Sequence, residues 1–122
     1  MKTALVIEDN ADNVELITFI LERNGFRTLI AETGQQGFDM AQAERPDFII
    51  LDIQLPDMDG LEVLKKIRDS EADGTIPVIA MTSFAMSGDR ERLLAAGCTG
   101  YIEKPIDPYK VILQIRQIIG ED

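Results

Sequence analysis

Residues 46–60 read Pro46-Asp47-Phe48-Ile49-Ile50-Leu51-Asp52-Ile53-Gln54-Leu55-Pro56-Asp57-Met58-Asp59-Gly60. Four consecutive apolar residues, Phe48 to Leu51, break the in-out alternation of a half-solvated strand and read as a strand covered on both faces, as happens where helices flank a parallel sheet. A strand over Asp47–Asp52 is therefore predicted at the centre of the sheet. Pro56, Asp57, Asp59 and Gly60 behind it are turn residues, and a helix striped by Leu61, Leu64 and Ile67 follows.

The same alternation extends in both directions. Upstream, a strand over Thr3–Glu8 precedes a helix from about Asp12 to Asn24, in which Val14, Ile17 and Leu21 share a face and Gly25 supplies the stop. A second strand over Phe26–Ala31 leads to a helix over Gly34–Glu44, where two glycines lower the propensity and Phe38 and Ala41 leave a thin apolar stripe. Downstream come a strand over Pro77–Thr82, a helix over Ser87–Ala96 and a fifth strand containing Tyr101 and Ile102. The last helix is expected to take Asp107 as N-cap and Pro108 as its first residue, and to turn Val111, Ile112, Ile115 and Ile118 toward the sheet. Five βα units with right-handed crossovers predict an α/β fold, a doubly wound five-stranded parallel sheet in the order 2-1-3-4-5 with five helices.

A chain of 122 residues has room for one ordinary core, so a single domain over 1–122 is expected, without a separate output domain. Twelve Lys and Arg against 22 Asp and Glu give a formal charge of −10, which argues against direct contact with a nucleic-acid backbone. Acid is concentrated in residues 1–60. The absence of histidine excludes a Ser-His-Asp triad, an imidazole zinc site and a phosphohistidine formed on this chain. Cys98, the single cysteine, cannot close an internal disulfide. The apolar run Ala4 to Ile7 stops at Glu8, too short for a signal peptide, so a cytoplasmic location away from membranes is expected.

Ligands of doubly wound sheets bind outside the carboxyl ends of the strands, where the strand order reverses. Here that rule selects Glu8 and Asp9 at the end of the first strand and Asp52 at the end of the third. One acid at a strand end ordinarily faces water or caps a helix. Three in one crevice repel, and with oxygen donors but neither imidazole nor a convergent thiol, a hard cation offsets them best: Mg²⁺, with Mn²⁺ as a substitute, rather than Ca²⁺, whose twelve-residue loop pattern is missing.

With Glu8-Asp9, the run Asp52 to Gly60, Thr82 and Lys104-Pro105 all at carboxyl ends of predicted strands, nearly the whole chain resembles the response-regulator receiver domain of two-component signalling. The runs Glu8-Asp9-Asn10 with Asn13, Phe84-Ala85-Met86, Gly88-Asp89 and Gly97-Cys98 resemble stand-alone DivK-type regulators and the receivers of hybrid histidine kinases. The resemblance implies a flavodoxin-like fold and a phosphoacceptor switch rather than an enzyme proper. It makes Asp52 the phosphoacceptor, Asp9 and Asp52 direct Mg²⁺ ligands, Glu8 a ligand through water and Gln54 a ligand through its carbonyl. Lys104 would neutralise phosphoryl oxygens, with a cis bond to Pro105 fixing its direction. Thr82 would hydrogen-bond the phosphoryl group and Tyr101 would be the switch aromatic, while Gln54 and Phe84 would flank the route of a hydrolysing water. A monomer is implied. Its partners would be a histidine kinase or histidine phosphotransfer protein, and a downstream protein on the face of the fourth helix, fifth strand and fifth helix, where Arg90, Arg92, Lys110 and Arg116 are expected.

Rival readings stay open beside this one. A haloacid-dehalogenase-type phosphatase needs a second Asp where Gln54 stands, and a flavodoxin-like electron carrier needs a phosphate-cradling loop where Glu8-Asp9-Asn10 would repel the phosphate. A receiver excised from a hybrid histidine kinase fits the length as well as a stand-alone regulator does. A bare interaction module would have no use for the complete set of acids and lysine.

Overall fold

The computed structural model describes residues 1–70, 76–83 and 87–121, the side chains of 87–89 excepted. Strands β1 (Thr3–Ile7), β2 (Arg27–Ala31), β3 (Phe48–Asp52), β4 (Val78–Thr82) and β5 (Gly100–Glu103) alternate with helices α1 (Ala11–Arg23), α2 (Gly34–Glu44), α3 (Gly60–Ser70), α4 (Ser87–Ala95) and α5 (Val111–Ile119). All strand pairs are parallel, in the order β2-β1-β3-β4-β5. Every residue of β3 is buried, because alternate side chains enter different cores. Phe48 and Ile50 join Ile17, Leu21, Phe26, Val111 and Ile115 on the side of α1 and α5, whereas Ile49 and Leu51 join Leu64, Ile67 and Leu93 on the side of α2, α3 and α4. Each fully buried large aliphatic contributes about 1.5–3 kcal/mol of transfer free energy, so the two clusters together hold the sheet in place.

Helix α2 forms over the predicted span, and its two glycines are packing requirements. A Cβ at Gly37 would lie 2.5 Å from Ile7 Cδ1, and one at Gly34 would lie 2.6 Å from Met58 Cγ. The helix can therefore sit hard against β1 and the loop after β3, a closeness that compensates its low propensity. The start of α5 differs from expectation. Asp107 caps a turn instead: its Oδ1 accepts from Tyr109 N at 2.9 Å and its carbonyl accepts from both Lys110 N and Val111 N. The regular helix begins at Val111, with Lys110 as N-cap and no side-chain cap bond. An Asp-Pro pair suits the first position of such a turn as well as that of a helix, which is why sequence placed the boundary three residues early.

At the amino end of the sheet, Lys2 Nζ lies 2.9 Å from Glu121 Oε2 and joins the segment before β1 to the segment after α5. Arg68 of α3 donates from Nη1 to Ile76 O at 2.7 Å and from Nε to Gly97 O at 2.9 Å, fixing the entry to β4 against the turn after α4. Cys98 is buried and free of any disulfide. Among the described residues no helix is long and apolar enough to cross a membrane.

Candidate functional site

Strand register assembles the site. Ile7 of β1 pairs with Leu51 of β3, so the next residues, Glu8 and Asp52, leave the sheet side by side. Asp52 is the register partner of Met81, and Thr82 is that of Glu103, which brings Thr82 and Lys104 to the same end. Lys104 N also donates to Thr82 O at 2.8 Å, and the Lys104–Pro105 peptide bond is cis.

Glu8, Asp9 and Asp52 each offer one carboxylate oxygen, and these oxygens lie within 4.8 Å of one another. Glu8 and Asp52 are buried, at 0% and 2% exposure, and Asp9 is exposed. The Lys104 ammonium lies 3.0 Å from Asp52 Oδ1 and 3.3 Å from Glu8 Oε1. Asn13 Nδ2 donates to Glu8 Oε1 at 2.8 Å, Asp9 N donates to Glu8 Oε2 at 3.1 Å, and Gln54 N donates to Asp52 Oδ1 at 3.0 Å. Lys104 thus faces two buried acids, with an Asp9 carboxylate oxygen close to theirs. Burial, followed by a hydrogen bond and repulsion from Asp52, pushes Glu8 from the usual 4.5 up to about 7, against the smaller opposing effects of Asn13 and Lys104. Burial alone pushes Lys104 down, but its bonds and attraction to Asp52 and Glu8 together prevail and leave it raised. The ammonium stays charged and Glu8 stands ready to take or lose a proton near neutrality.

Thr82 is buried, 5% exposed, and borders a cleft of about 380 Å³ with Gln54, Leu55, Asp59, Leu61 and Arg92. Tyr101 is half-buried against the core on the α2–α3–α4 side, and the Arg90 guanidinium lies 5.3 Å over its ring, a cation–π arrangement. The four basic residues expected on one face are not gathered there. Arg90 and Lys110 border Tyr101, but Arg92 lines the cleft beside Gln54, and Arg116 Nη2 donates to Asn24 O at 3.5 Å beyond α1, because successive helical positions point to different sides. Phe84 falls outside the described residues.

Sequence reasoning missed two contacts. Asn13 was part of a quoted run without a role. It lies three residues after Asn10, whose side chain caps α1, and that spacing returns it to the start of the helix beside Glu8. Asp57 accepts from Gly34 N at 2.7 Å and Gln35 N at 3.0 Å, and those bonds, Gly34's foremost, hold its carboxyl below the usual range.

A family model described as the response regulator receiver domain matches residues 4–116. The chain belongs to the response-regulator receiver family. The polar-differentiation response regulators DivK of Brucella anthropi and Brucella ovis are 42% identical to it over 120 residues, covering 98% of each chain. The receiver domain of a sensor histidine kinase from Pseudomonas aeruginosa, solved with a magnesium ion in its active-site cleft, is 33% identical with a TM-score of 0.88 over 98% of both chains. The chemotaxis response regulator CheY4 of Vibrio cholerae, 24% identical, shares the fold with a TM-score of 0.92 over 97% of this chain and 98% of its own. Receivers are phosphoacceptor switches of two-component signalling, so the site at the carboxyl end of this sheet is read in those terms.

Proposed function

We propose that this receiver takes a phosphoryl group on Asp52 from a phosphohistidine of a kinase or phosphotransfer protein and signals as a single domain over 1–122, in the manner of its DivK-like relatives. The observation that carries the reading is the Lys104 ammonium, 3.0 Å from Asp52 Oδ1, beside three acids whose oxygens lie within 4.8 Å. Hard oxygen donors in excess of cationic charge suit Mg²⁺. Asp9, Asp52 and the Gln54 carbonyl would hold it directly and Glu8 through water; bound there, Mg²⁺ supplies neutralisation of phosphoryl charge. Mn²⁺ has the same preference for oxygen.

Asp52 Oδ1 is held by Lys104 and Gln54 N, which orients the carboxylate for attack. A new O–P bond forms on Asp52 as the P–N bond of the donor breaks, and the electron pair stays on the partner's imidazole. Lys104 stabilises the negative oxygens in transit, and most of the rate comes from such positioning and charge. The Thr82 hydroxyl, at the edge of the cleft, hydrogen-bonds the phosphoryl group once it is in place. Tyr101 then carries the change to the face of α4, β5 and α5, which a downstream protein partner reads. The protein acts in the cytoplasm, as a monomer, without direct contact with nucleic acid. The similarity to a kinase-borne receiver favours a second reading, in which the same chemistry serves as one step of a relay within a hybrid histidine kinase.

The test is mass spectrometry after incubation with acetyl phosphate. A single phosphoryl adduct is expected with Mg²⁺, none with a chelator and none in Asp52→Asn. A label on Ser83, or a rate indifferent to chelation, would overturn the assignment.

A further inference from the structure

Asp57 lies outside the acid cluster, and its carboxylate accepts hydrogen bonds from the start of α2. Four N–H groups at a helix N-terminus lack intrahelical partners. In α2, Gln36 N donates to Thr33 Oγ1 at 3.1 Å and Gly37 N to Thr33 O at 2.9 Å, which is a local cap. The two donors that Thr33 does not reach, Gly34 N and Gln35 N, are both taken by Asp57, 22 or more residues away in sequence. The bonds are charge-assisted and fork-like, one to each carboxylate oxygen. Met58 next to it packs so closely on Gly34 that no Cβ fits there.

Backbone hydrogen bonds close the loop of residues 53–59 at its two ends. Ile53 N donates to Met81 O at 3.1 Å, Gly60 N returns to Ile53 O at 2.9 Å, and Gln54 bridges Asp59. Its tip, Leu55 to Met58, packs on the core through Leu55 and Met58 and is hydrogen-bonded to α2 through Asp57. We infer that Asp57 is a positioning residue: by holding the tip to the N-terminus of α2 it sets the place of the Gln54 carbonyl, and so the affinity of the site for Mg²⁺. The inference rests on the metal site proposed above, and it adds that α2, which supplies no ligand, is part of the support of that site. Outer supports that orient ligands are worth much of a metal's affinity.

The experiment compares Asp57→Ala with Thr33→Ala, which weakens the same helix end without touching the loop. Mg²⁺ alone is the probe, titrated by NMR on labelled protein, with amide hydrogen exchange in the metal-free state as a second readout. Asp57→Ala is expected to raise the Mg²⁺ Kd about tenfold and to speed exchange at Gln54 and Gly60. Thr33→Ala should lower the melting temperature but leave both readouts near wild type. Asp57→Asn, which keeps one acceptor oxygen, should fall between and serves if the alanine variant does not fold. A Kd unchanged in Asp57→Ala, or raised equally by Thr33→Ala, overturns the inference. If Asp9→Asn leaves Mg²⁺ binding intact, the metal site itself is wrong, and the exchange at Gln54 and Gly60 still decides whether Asp57 holds the loop.

Discussion

Replacing Lys104 by Met removes a cation that lies against two buried acids while keeping most of the side-chain volume. Lys104 lies 3.0 Å from Asp52 and 3.3 Å from Glu8, with side-chain exposures of 15%, 3% and 0% in that order. Breaking a buried pair by deleting one partner costs about 3–5 kcal/mol, because the other charge is left uncompensated. The loss here is smaller where Glu8 can neutralise itself. Its acidity is weakened to about 7 in the presence of Lys104, and losing the attraction of that ammonium weakens it further. An acid with a raised folded pKa favours the fold below its unfolded value, and that contribution is lost as pH climbs through the folded one. In metal-free wild type, Glu8 alone should therefore remove up to about 3 kcal/mol between pH 4.5 and 7. In Lys104→Met the further loss should be about 3 kcal/mol near pH 8, where wild-type Glu8 is charged beside Lys104, and smaller near pH 5.5, where Glu8 is protonated. Urea denaturation followed by circular dichroism, with chelator and then with excess Mg²⁺, measures it; added Mg²⁺ should recover part of the loss. Equal losses at both pH values with no recovery would refute the electrostatic account of the site.

Gly37→Ala should destabilise the fold by about 1–2 kcal/mol, since overpacking against Ile7 outweighs the gain in helix propensity; a higher melting temperature would mean that α2 can lift from β1. Amide exchange in the free and phosphorylated protein should differ across residues 83–110, and equal protection would leave Tyr101 without a switching role. Phe84→Glu should speed dephosphorylation by supplying a water-orienting carboxylate in place of an aromatic side chain; Gln54→Ala slowing it while Phe84→Glu does nothing would assign the water to Gln54 instead.

Legibility in the sequence followed the distance over which each feature is determined. Strand β3 was readable because burial on both faces leaves a local mark, four apolar residues in a row. The adjacency of Glu8 and Asp52 was readable one level up, since strand order alone puts the ends of β1 and β3 together. What could not be read is tertiary. Nothing near Asp57 in sequence points to the start of α2, and the fit of Gly34 and Gly37 against Met58 and Ile7 turns apparent helix breakers into contacts. The three arginines and one lysine expected on the output face were misjudged for the same reason, since charge in the right half of the chain does not say which way a side chain leaves its helix. The early boundary of α5 is a local ambiguity, one Asp-Pro pair serving two kinds of turn.

The ion pair between Lys2 and Glu121 has a practical consequence for handling the molecule. The two ends of the described chain meet at the amino edge of the sheet, a full strand length, about 17 Å, from the reactive edge. A fluorophore, an affinity handle or a surface tether attached at either end stands clear of Asp52, and a few added residues would join the ends into a circle. Reopening such a circle at another surface loop would give a permuted chain in which the order of βα units changes while the acids and lysine keep their neighbours, a route to separating the order of assembly from the chemistry of the finished site.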